Sequence, residues 1–299
     1  MINALSVDVE EYFHVEAFAS VVKPDQWALY PSRVEANVER ILEIFSRFEV
    51  RATFYVLGWV AERYPRLVSK IQKAGHEIAS HGYGHQHLRR LSPGEFREDI
   101  RRSSQCLSDQ AGSRIELFRA PTFSVIRQTL WALDVLSEEG FKLDSSIFPV
   151  KHDLYGIPGS ERFPHWRKTR AGNLIFEFPP STVRCLGNDW GVGGGGYLRI
   201  LPYSLTRWAI RRINEKDNQP VMVYVHPWEL DPEQPRLPAG IRSRIRHYTN
   251  LGKMKERMNC LLKDFQFDTV SQVCRQLSVY QSNDSATVQP HLTGSLCAE

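Results

Sequence analysis

Short β-rich runs alternate with amphipathic helical runs along most of this 299-residue chain, and several β-rich runs end on a side chain able to do acid–base or metal chemistry. Strands are expected over residues 4–9, 52–58, 77–79, 115–118, 141–144 and 221–225, where β-branched and aromatic residues cluster between turn formers. Helices are expected over residues 32–45 behind a serine cap, and over 60–74, closed by Gly75. Further helices are expected from Ser92, with a Ser92/Glu95 capping box, to about Gln110, then over 129–139, 204–214 and 245–262, with a last element opening at 267–270. Strand and helix in this rhythm predict the α/β class, with a parallel sheet closed into a barrel. A chain of this length fills such a fold as one unit.

The rhythm breaks between about residues 148 and 203, where proline, glycine and aromatic residues dominate. The run Gly191-Val192-Gly193-Gly194-Gly195-Gly196-Tyr197-Leu198 is not followed by Gly-Lys-Ser/Thr, so it is not a phosphate-binding loop of that kind. A flexible loop lying over a site is expected there, because long irregular segments inside compact domains are usually functional. Residues 281–299 are polar and patternless and read as a disordered tail, which leaves residues 1–280 as the domain.

Composition narrows the function classes. A net charge of +4, with basic residues dispersed among acidic ones except at 242–247, gives no nucleic-acid footprint. No apolar run approaches membrane-spanning length, and the first residues lack a basic stretch followed by a long apolar one, so a cytoplasmic protein that is not integral to the membrane is expected. The five cysteines, Cys106, Cys185, Cys260, Cys274 and Cys297, are scattered, which argues against a disulfide framework and a thiolate zinc site.

The strand exits carry the chemistry. After residues 77–79 comes Ser80-His81-Gly82-Tyr83-Gly84-His85-Gln86-His87, and imidazoles four apart can share one side of a turn and hold a divalent metal. The first strand ends in Asp8, Glu10 and Glu11, the fourth leads to Arg119, the fifth to Asp144 and the sixth to His226. Each has an ordinary structural explanation alone: an aspartate as turn former, an arginine as solvated charge, a histidine before proline as a structural ring. Together they would converge on one rim of a parallel barrel. Such a rim can perform metal-assisted hydrolysis, with one carboxylate and two imidazoles holding the ion, a second carboxylate taking a proton from water, and a separate histidine protonating the leaving amine. In that scheme Arg119 orients the base, Asp144 holds the imidazole of His226, and backbone N–H groups after Arg119 assist at the oxyanion.

The ordered set Asp8-Val9-Glu10-Glu11, His81-Gly82-Tyr83-Gly84-His85, Arg119-Ala120-Pro121, Asp144-Ser145-Ser146 and Val223-Tyr224-Val225-His226 resembles the successive motifs of NodB-like polysaccharide deacetylases, carbohydrate esterase family four. The segment from Asp8 to His14, the Gly193–Leu198 run and His226-Pro227-Trp228-Glu229 resemble the subgroup found with exosortase and exopolysaccharide gene clusters. The resemblance covers nearly all of residues 1–280. It implies a distorted (β/α) barrel, a divalent metal with zinc foremost, an N-acetylated glycan substrate and removal of N-acetyl groups during exopolysaccharide synthesis. By position, Asp8 matches the catalytic base, His81 and His85 the metal histidines, Arg119 the base-orienting arginine, His226 the acid and Asp144 the carboxylate supporting it. Where the family has a second aspartate, this chain has Glu10 and Glu11. Glu10 is favoured as the carboxylate ligand because alternate residues of a strand share a face, and Glu11 stays open if the strand has already turned. Thr122, Tyr197 and Trp228 are expected to touch substrate, while His14 and His87 are lesser candidates for the site. Two other functions are compatible with the same residues. One is hydrolysis of a small non-sugar amide, and the other is a silent glycan-binding barrel using Trp166, Trp190, Tyr197 and Trp228 as stacking platforms.

Overall fold

The computed structural model describes residues 1–284. The first half runs β1 (Ile2–Val9), α1 (Val34–Arg47), β2 (Thr53–Val56), α2 (Gly58–Arg63), α3 (Pro65–Lys73), β3 (Glu77–Ser80), α4 (Pro93–Ala111), β4 (Leu117–Phe118), α5 (Trp131–Glu138) and β5 (Leu143–Asp144). The second half runs β6 (His165–Lys168), β7 (Leu174–Glu177), β8 (Thr182–Cys185), β9 (Asn188–Gly191), α6 (Gly195–Ile200), α7 (Tyr203–Arg212), β10 (Met222–Val225), α8 (Ile241–Tyr248), α9 (Leu251–Asp264), β11 (Gln266–Asp268), α10 (Val270–Arg275) and α11 (Ser278–Asp284).

The main sheet has the order β10-β1-β2-β3-β4-β5-β7-β6, with β11 also paired to β1. Every ladder in it is parallel except β6–β7. Strand β1 is buried from Asn3 to Val9, as a strand covered on both faces must be. Leu5, Val7, Val9, Phe54 and Val56 pack with the apolar stripe of α1 (Val34, Val38, Ile41, Phe45) in the largest core cluster. The expected α/β barrel is therefore present, and it is distorted. Between β7 and β10 there is no ladder. That opening is spanned by the chain after β7: Met222 N donates to Ser181 Oγ at 2.7 Å, Val192 N to Ser181 O at 3.0 Å and Tyr224 N to Gly193 O at 2.8 Å.

Residues 148–203 are thus not an irregular loop. They add β6 and β7 to the sheet, form the β8–β9 hairpin and supply the closing segment and α6. The glycine run is there for close approach. A Cβ on Gly193 would lie 2.1 Å from Met222 O, and one on Gly194 would lie 2.4 Å from the Tyr224 hydroxyl.

Several boundaries differ from expectation for local reasons. The helix expected over 60–74 breaks at Tyr64 (φ −126°, ψ 68°), because the residue before Pro65 is driven out of the helical region. The helix expected over 245–262 is two helices, α8 and α9, parted at Asn250, which takes φ 57° and donates from Nδ2 to Arg199 O at 2.9 Å. Ser32 does not cap α1. The Glu11 carboxylate does, accepting from Arg33 N at 3.0 Å and Val34 N at 3.1 Å. The Ser92/Glu95 capping box forms as expected. Of the expected tail, residues 281–284 belong to α11, and residues 285–299 lie outside the described residues.

Two substitutions in the glycine run separate close packing from backbone freedom. Gly193→Ala should lower unfolding stability in urea by about 1–3 kcal/mol, because its methyl meets backbone rather than a movable side chain. Gly196→Ala, in α6 with nothing within 4 Å of the new Cβ, should be neutral or stabilising by about 0.4–1 kcal/mol.

Candidate active site

The C-terminal ends of β1, β3, β4 and β10 deliver Asp8 and Glu10, His81, Arg119 and His226 to one mouth, the face where barrels of parallel strands present their loops. Arg119 is fully buried and holds this rim together. Its Nη1 donates to Asp8 Oδ1 at 2.6 Å and to Ser6 Oγ at 2.9 Å, its Nη2 to Ser145 Oγ at 3.0 Å, and its guanidinium lies 4.0 Å from the Tyr55 ring centroid. Asp8 Oδ2 is left facing His226 Nε2 across 4.0 Å.

Glu10, His81 and His85 form the cluster able to hold a metal ion, with one ligand atom from each all within 4.8 Å of one another and all three side chains buried. Glu10 Oε2 lies 2.6 Å from His85 Nε2, and Glu10 Oε1 accepts from Trp228 Nε1 at 3.0 Å. His81 Nδ1 lies 2.8 Å from Arg119 O, which fixes that nitrogen as the donor and leaves Nε2 with a free lone pair. Burial holds the His81 imidazole down at about 4, so it is neutral and able to ligate at ordinary pH. Burial alone would raise the Glu10 carboxyl, but His85, His226 and His81 around it bring it well below the usual carboxylate range. A carboxylate and two imidazoles suit a divalent cation, and zinc accepts such a donor set.

The loop carrying the two histidines is held from outside. Asp99, on α4, accepts from Tyr83 N at 2.7 Å and Gly84 N at 3.0 Å. Gly82 takes φ 73°, and a Cβ there would sit 2.9 Å from Asp99 Oδ2. His85 (φ 47°), Thr122 (φ 57°) and Phe123 (φ 50°) are non-glycine residues in the left-handed region, and all three line the pocket. Backbone strain of this kind concentrates where geometry matters more than local comfort.

The pocket has a volume of about 410 Å³, within the usual span for small-ligand sites. Its lining includes Glu10, His81, His85, Thr122, Tyr197, Tyr224, His226 and Trp228. Of the three residues expected to touch substrate, Thr122 and Tyr197 border open space. Trp228 is 5% exposed and stacks between His226 (centroids 5.0 Å apart) and His247 (4.1 Å), so its chief contacts are with protein. Trp166 packs on Phe176 and Tyr280, and Trp190 projects from the β8–β9 hairpin; neither lines the pocket.

Asp144 does not hold His226. Its carboxylate accepts from Ser146 Oγ and, at 3.2 Å, from Ser146 N, while Ser146 Oγ accepts from Ala120 N at 2.8 Å. In register opposite Asp144 stands Glu177, also fully buried. Burial and the Asp144 charge push the Glu177 carboxyl well above its ordinary value, so it keeps its proton beside Asp144. The partner of His226 is Glu229. Its Oε2 lies 3.3 Å from His226 Nδ1 and accepts from His226 N at 2.9 Å, while Oε1 accepts from Arg199 Nε at 2.8 Å. Gly195 makes room for this carboxylate, since a Cβ there would lie 1.8 Å from Glu229 Oε2. The clue was in the sequence: a glutamate three residues after His226 at the start of a proline-led turn has capping-box spacing.

Glu11 is committed to α1 and is absent from the metal cluster. His14 accepts from Glu11 N at 3.1 Å on Nδ1, while its buried Nε2 has no hydrogen-bond partner among the described residues. Its ring lies 6.2 Å from that of His85, beside the cluster but outside it. His87 Nε2 lies 2.9 Å from Leu154 O and its Nδ1 accepts from Arg89 N, which makes it a structural brace. Glu229, Arg199 and Tyr224 are pocket residues that the motif reading did not single out.

The family model described as polysaccharide deacetylase matches residues 25–141, which hold His81, His85 and Arg119, and a domain of unknown function (DUF3473) matches residues 145–275, which hold His226 and Glu229. A Bacillus cereus protein named peptidoglycan-N-acetylglucosamine deacetylase is 28% identical over 45% of this chain and 52% of its own length. The chain thus spans about half of that relative. Among solved structures, a Mycobacterium smegmatis protein assigned to the polysaccharide deacetylases superposes with a TM-score of 0.61 at 19% identity, covering 99% of this chain and 94% of that one. The allantoinase PuuE gives a TM-score of 0.55 at 15% identity, covering 96% and 91%. These two likenesses show the fold. No helix among the described residues is long and apolar enough to cross a membrane.

The His226–Glu229 pair has a pH signature. Burial by itself would lower the His226 imidazole, but the hydrogen bond and charge of Glu229, then Glu10 and Asp8, raise it from the ordinary 6.5 to about 9. The pair therefore contributes stability that is full below the ordinary imidazole value and is lost as pH rises through about 9. Titration of the ring by NMR in Glu229→Gln should give a midpoint shifted down toward 6.5, whereas Asp144→Asn should leave it near 9.

Proposed function

We propose that this chain, which carries a NodB-like polysaccharide deacetylase domain of the carbohydrate esterase four type, hydrolyses N-acetyl groups from amino-sugar units of a polysaccharide or its precursor. The observation that carries the reading is the facing pair of Asp8 Oδ2 and His226 Nε2, 4.0 Å apart, beside the Glu10–His81–His85 cluster. A base and an acid on either side of one small space are what amide hydrolysis requires, one to take a proton from water and one to give a proton to the departing nitrogen.

Glu10, His81 and His85 would hold a divalent cation, with zinc the first choice, which would supply Lewis acidity toward the acetyl oxygen and a more nucleophilic water. The protein's own groups do the rest. Asp8 takes the proton on Oδ2 while Arg119 holds Oδ1 and keeps the carboxylate aimed. His226, charged at neutral pH because Glu229 faces its Nδ1, gives the Nε2 proton to the leaving amine. Arg199 keeps Glu229 ionised and in place, holding its carboxyl down to about 2 against the burial that would raise it. Asp144, with protonated Glu177 opposite it behind the rim, accepts from Ser146 Oγ and through that hydroxyl positions the Ala120 backbone next to Arg119. Thr122 and Tyr197 line the space where the sugar ring would lie. The matching of residues 145–275 to a second domain, together with the Asp8–His14 and His226–Glu229 motifs, supports a place in exopolysaccharide synthesis.

Purified protein given N-acetylglucosamine oligomers and a divalent metal should release acetate. Asp8→Asn should lose about 100-fold or more of the rate while still binding one metal ion by calorimetric titration. His81→Ala and His85→Ala should lose bound metal and acetate release together. Near-normal acetate release from Asp8→Asn would contradict the assignment of the base.

A further inference from the structure

We infer that the pocket wall formed by α8 is a subsite for an anionic group of the glycan, a uronate carboxylate or a phosphate, carried apart from the N-acetyl group being removed. The inference rests on the deacetylase reading and names the substrate class of that site.

Three carboxylates line the pocket, Glu10, Glu16 and Glu229, and each is already engaged. Glu10 belongs to the metal cluster, Glu229 is paired with Arg199, and Glu16 is paired with Arg90. Three guanidiniums also line it, Arg199, Arg242 and Arg246. Arg199 is spent on Glu229. Arg242 and Arg246 make no ion pair with any carboxylate among the described residues, although Asp and Glu side chains pair with many of the other surface arginines. Two uncompensated cations on the wall of a binding pocket repel each other, and an anion between them relieves that repulsion.

Placement makes the pair specific. Arg242 and Arg246 are four residues apart on α8, so both project from one helix face, and that face is the pocket wall. The next residue, His247, is buried and stacked on Trp228, which anchors α8 to the indole bonded to Glu10. The cationic wall is therefore fixed relative to the reacting centre. Arg246 is further held at the rim, its Nη2 lying 3.0 Å from Nε2 of His152, whose ring stacks on Tyr155 at 3.8 Å. Tyr155, Tyr197 and Ile200 complete this side with surface against which a sugar ring can lie. Guanidinium is the side chain best matched to carboxylate and phosphate, because its fork of N–H donors meets two oxygens at once.

The pocket thus carries one end where the acetyl group is cut and the carboxylates already have partners, and one wall with two guanidiniums that have no carboxylate partner among the described residues. A neutral chitin-type chain would use only the first.

The test is calorimetric binding to metal-replete Asp8→Asn protein, so that turnover does not enter. Three probes of equal length are compared: a neutral N-acetylglucosamine oligomer, one alternating with glucuronate, and one ending in a phosphate. At least one anionic probe should bind about tenfold more tightly than the neutral one, as expected for a charge-assisted bond to a guanidinium. That advantage should shrink as salt is raised and collapse to about onefold in Arg242→Gln/Arg246→Gln. Whichever anionic probe gains identifies carboxylate or phosphate as the group. Equal affinities for all three probes, or an anionic preference that survives the double substitution, would overturn the subsite. Neither result touches the deacetylase reading, which fails only if wild-type protein releases no acetate from any of the three.

Discussion

A buried ion pair between Asp8 and Arg119 is the interaction on which the rest of the site depends. Sequestering a guanidinium and a carboxylate from water costs several kcal/mol for each, and the pair is tolerable only when its hydrogen-bonding capacity is filled. Here it is filled from three strand ends: Ser6 and Asp8 on β1, Ser145 after β5, and the Tyr55 ring on β2 beneath the guanidinium. The same arginine's carbonyl sets the tautomer of His81. One residue after β4 thus orients the proposed base on β1 and a proposed ligand after β3, and removal of either partner would leave an uncompensated charge worth about 3–5 kcal/mol in a dry rim.

The half of the site around the proposed acid, His226, is built by a different device. His226 is served by a local glutamate on its own turn, which in turn is locked by an arginine from α6. This arrangement requires α6 to come close, and Gly195 permits that approach. The glycine-rich stretch therefore does two jobs at neighbouring positions. Gly193 and Gly194 close the barrel against β10, and Gly195 admits the carboxylate that keeps His226 charged. Charge separation across the mouth follows, with Asp8 bonded to Arg119, His226 protonated beside Glu229, and the candidate metal cluster in the same mouth.

Much of this was legible in the sequence, because strand and helix alternation, and the polar residue after each strand, are local patterns that tertiary context did not overturn. Asp8, Glu10, His81, His85, Arg119 and His226 meet at one mouth for that reason. The surroundings of Asp144 depart from expectation because a non-local pairing contributes to them. Only the β5–β7 register places Glu177 opposite it, and a local bond to Ser146 Oγ two residues on occupies the carboxylate. Residues 148–203 were illegible as sheet, since β6 and β8–β9 carry charged, half-exposed residues without alternation and β7 is only four residues long. The break between α8 and α9 depends on Asn250 reaching Arg199 O, a contact fifty-one residues distant that no helical periodicity encodes.

The most direct test of the central claim, that these distant strand ends grip a single cation in one mouth, is a crystal structure of zinc-loaded protein with anomalous diffraction at the zinc edge. The account predicts one dominant peak about 2.0–2.2 Å from a Glu10 oxygen and from ring nitrogens of His81 and His85, with Asp8 still held by Arg119 and Glu11 still on α1. A peak bound elsewhere, or a Glu10 carboxylate turned away from both imidazoles with the zinc site empty, would contradict it.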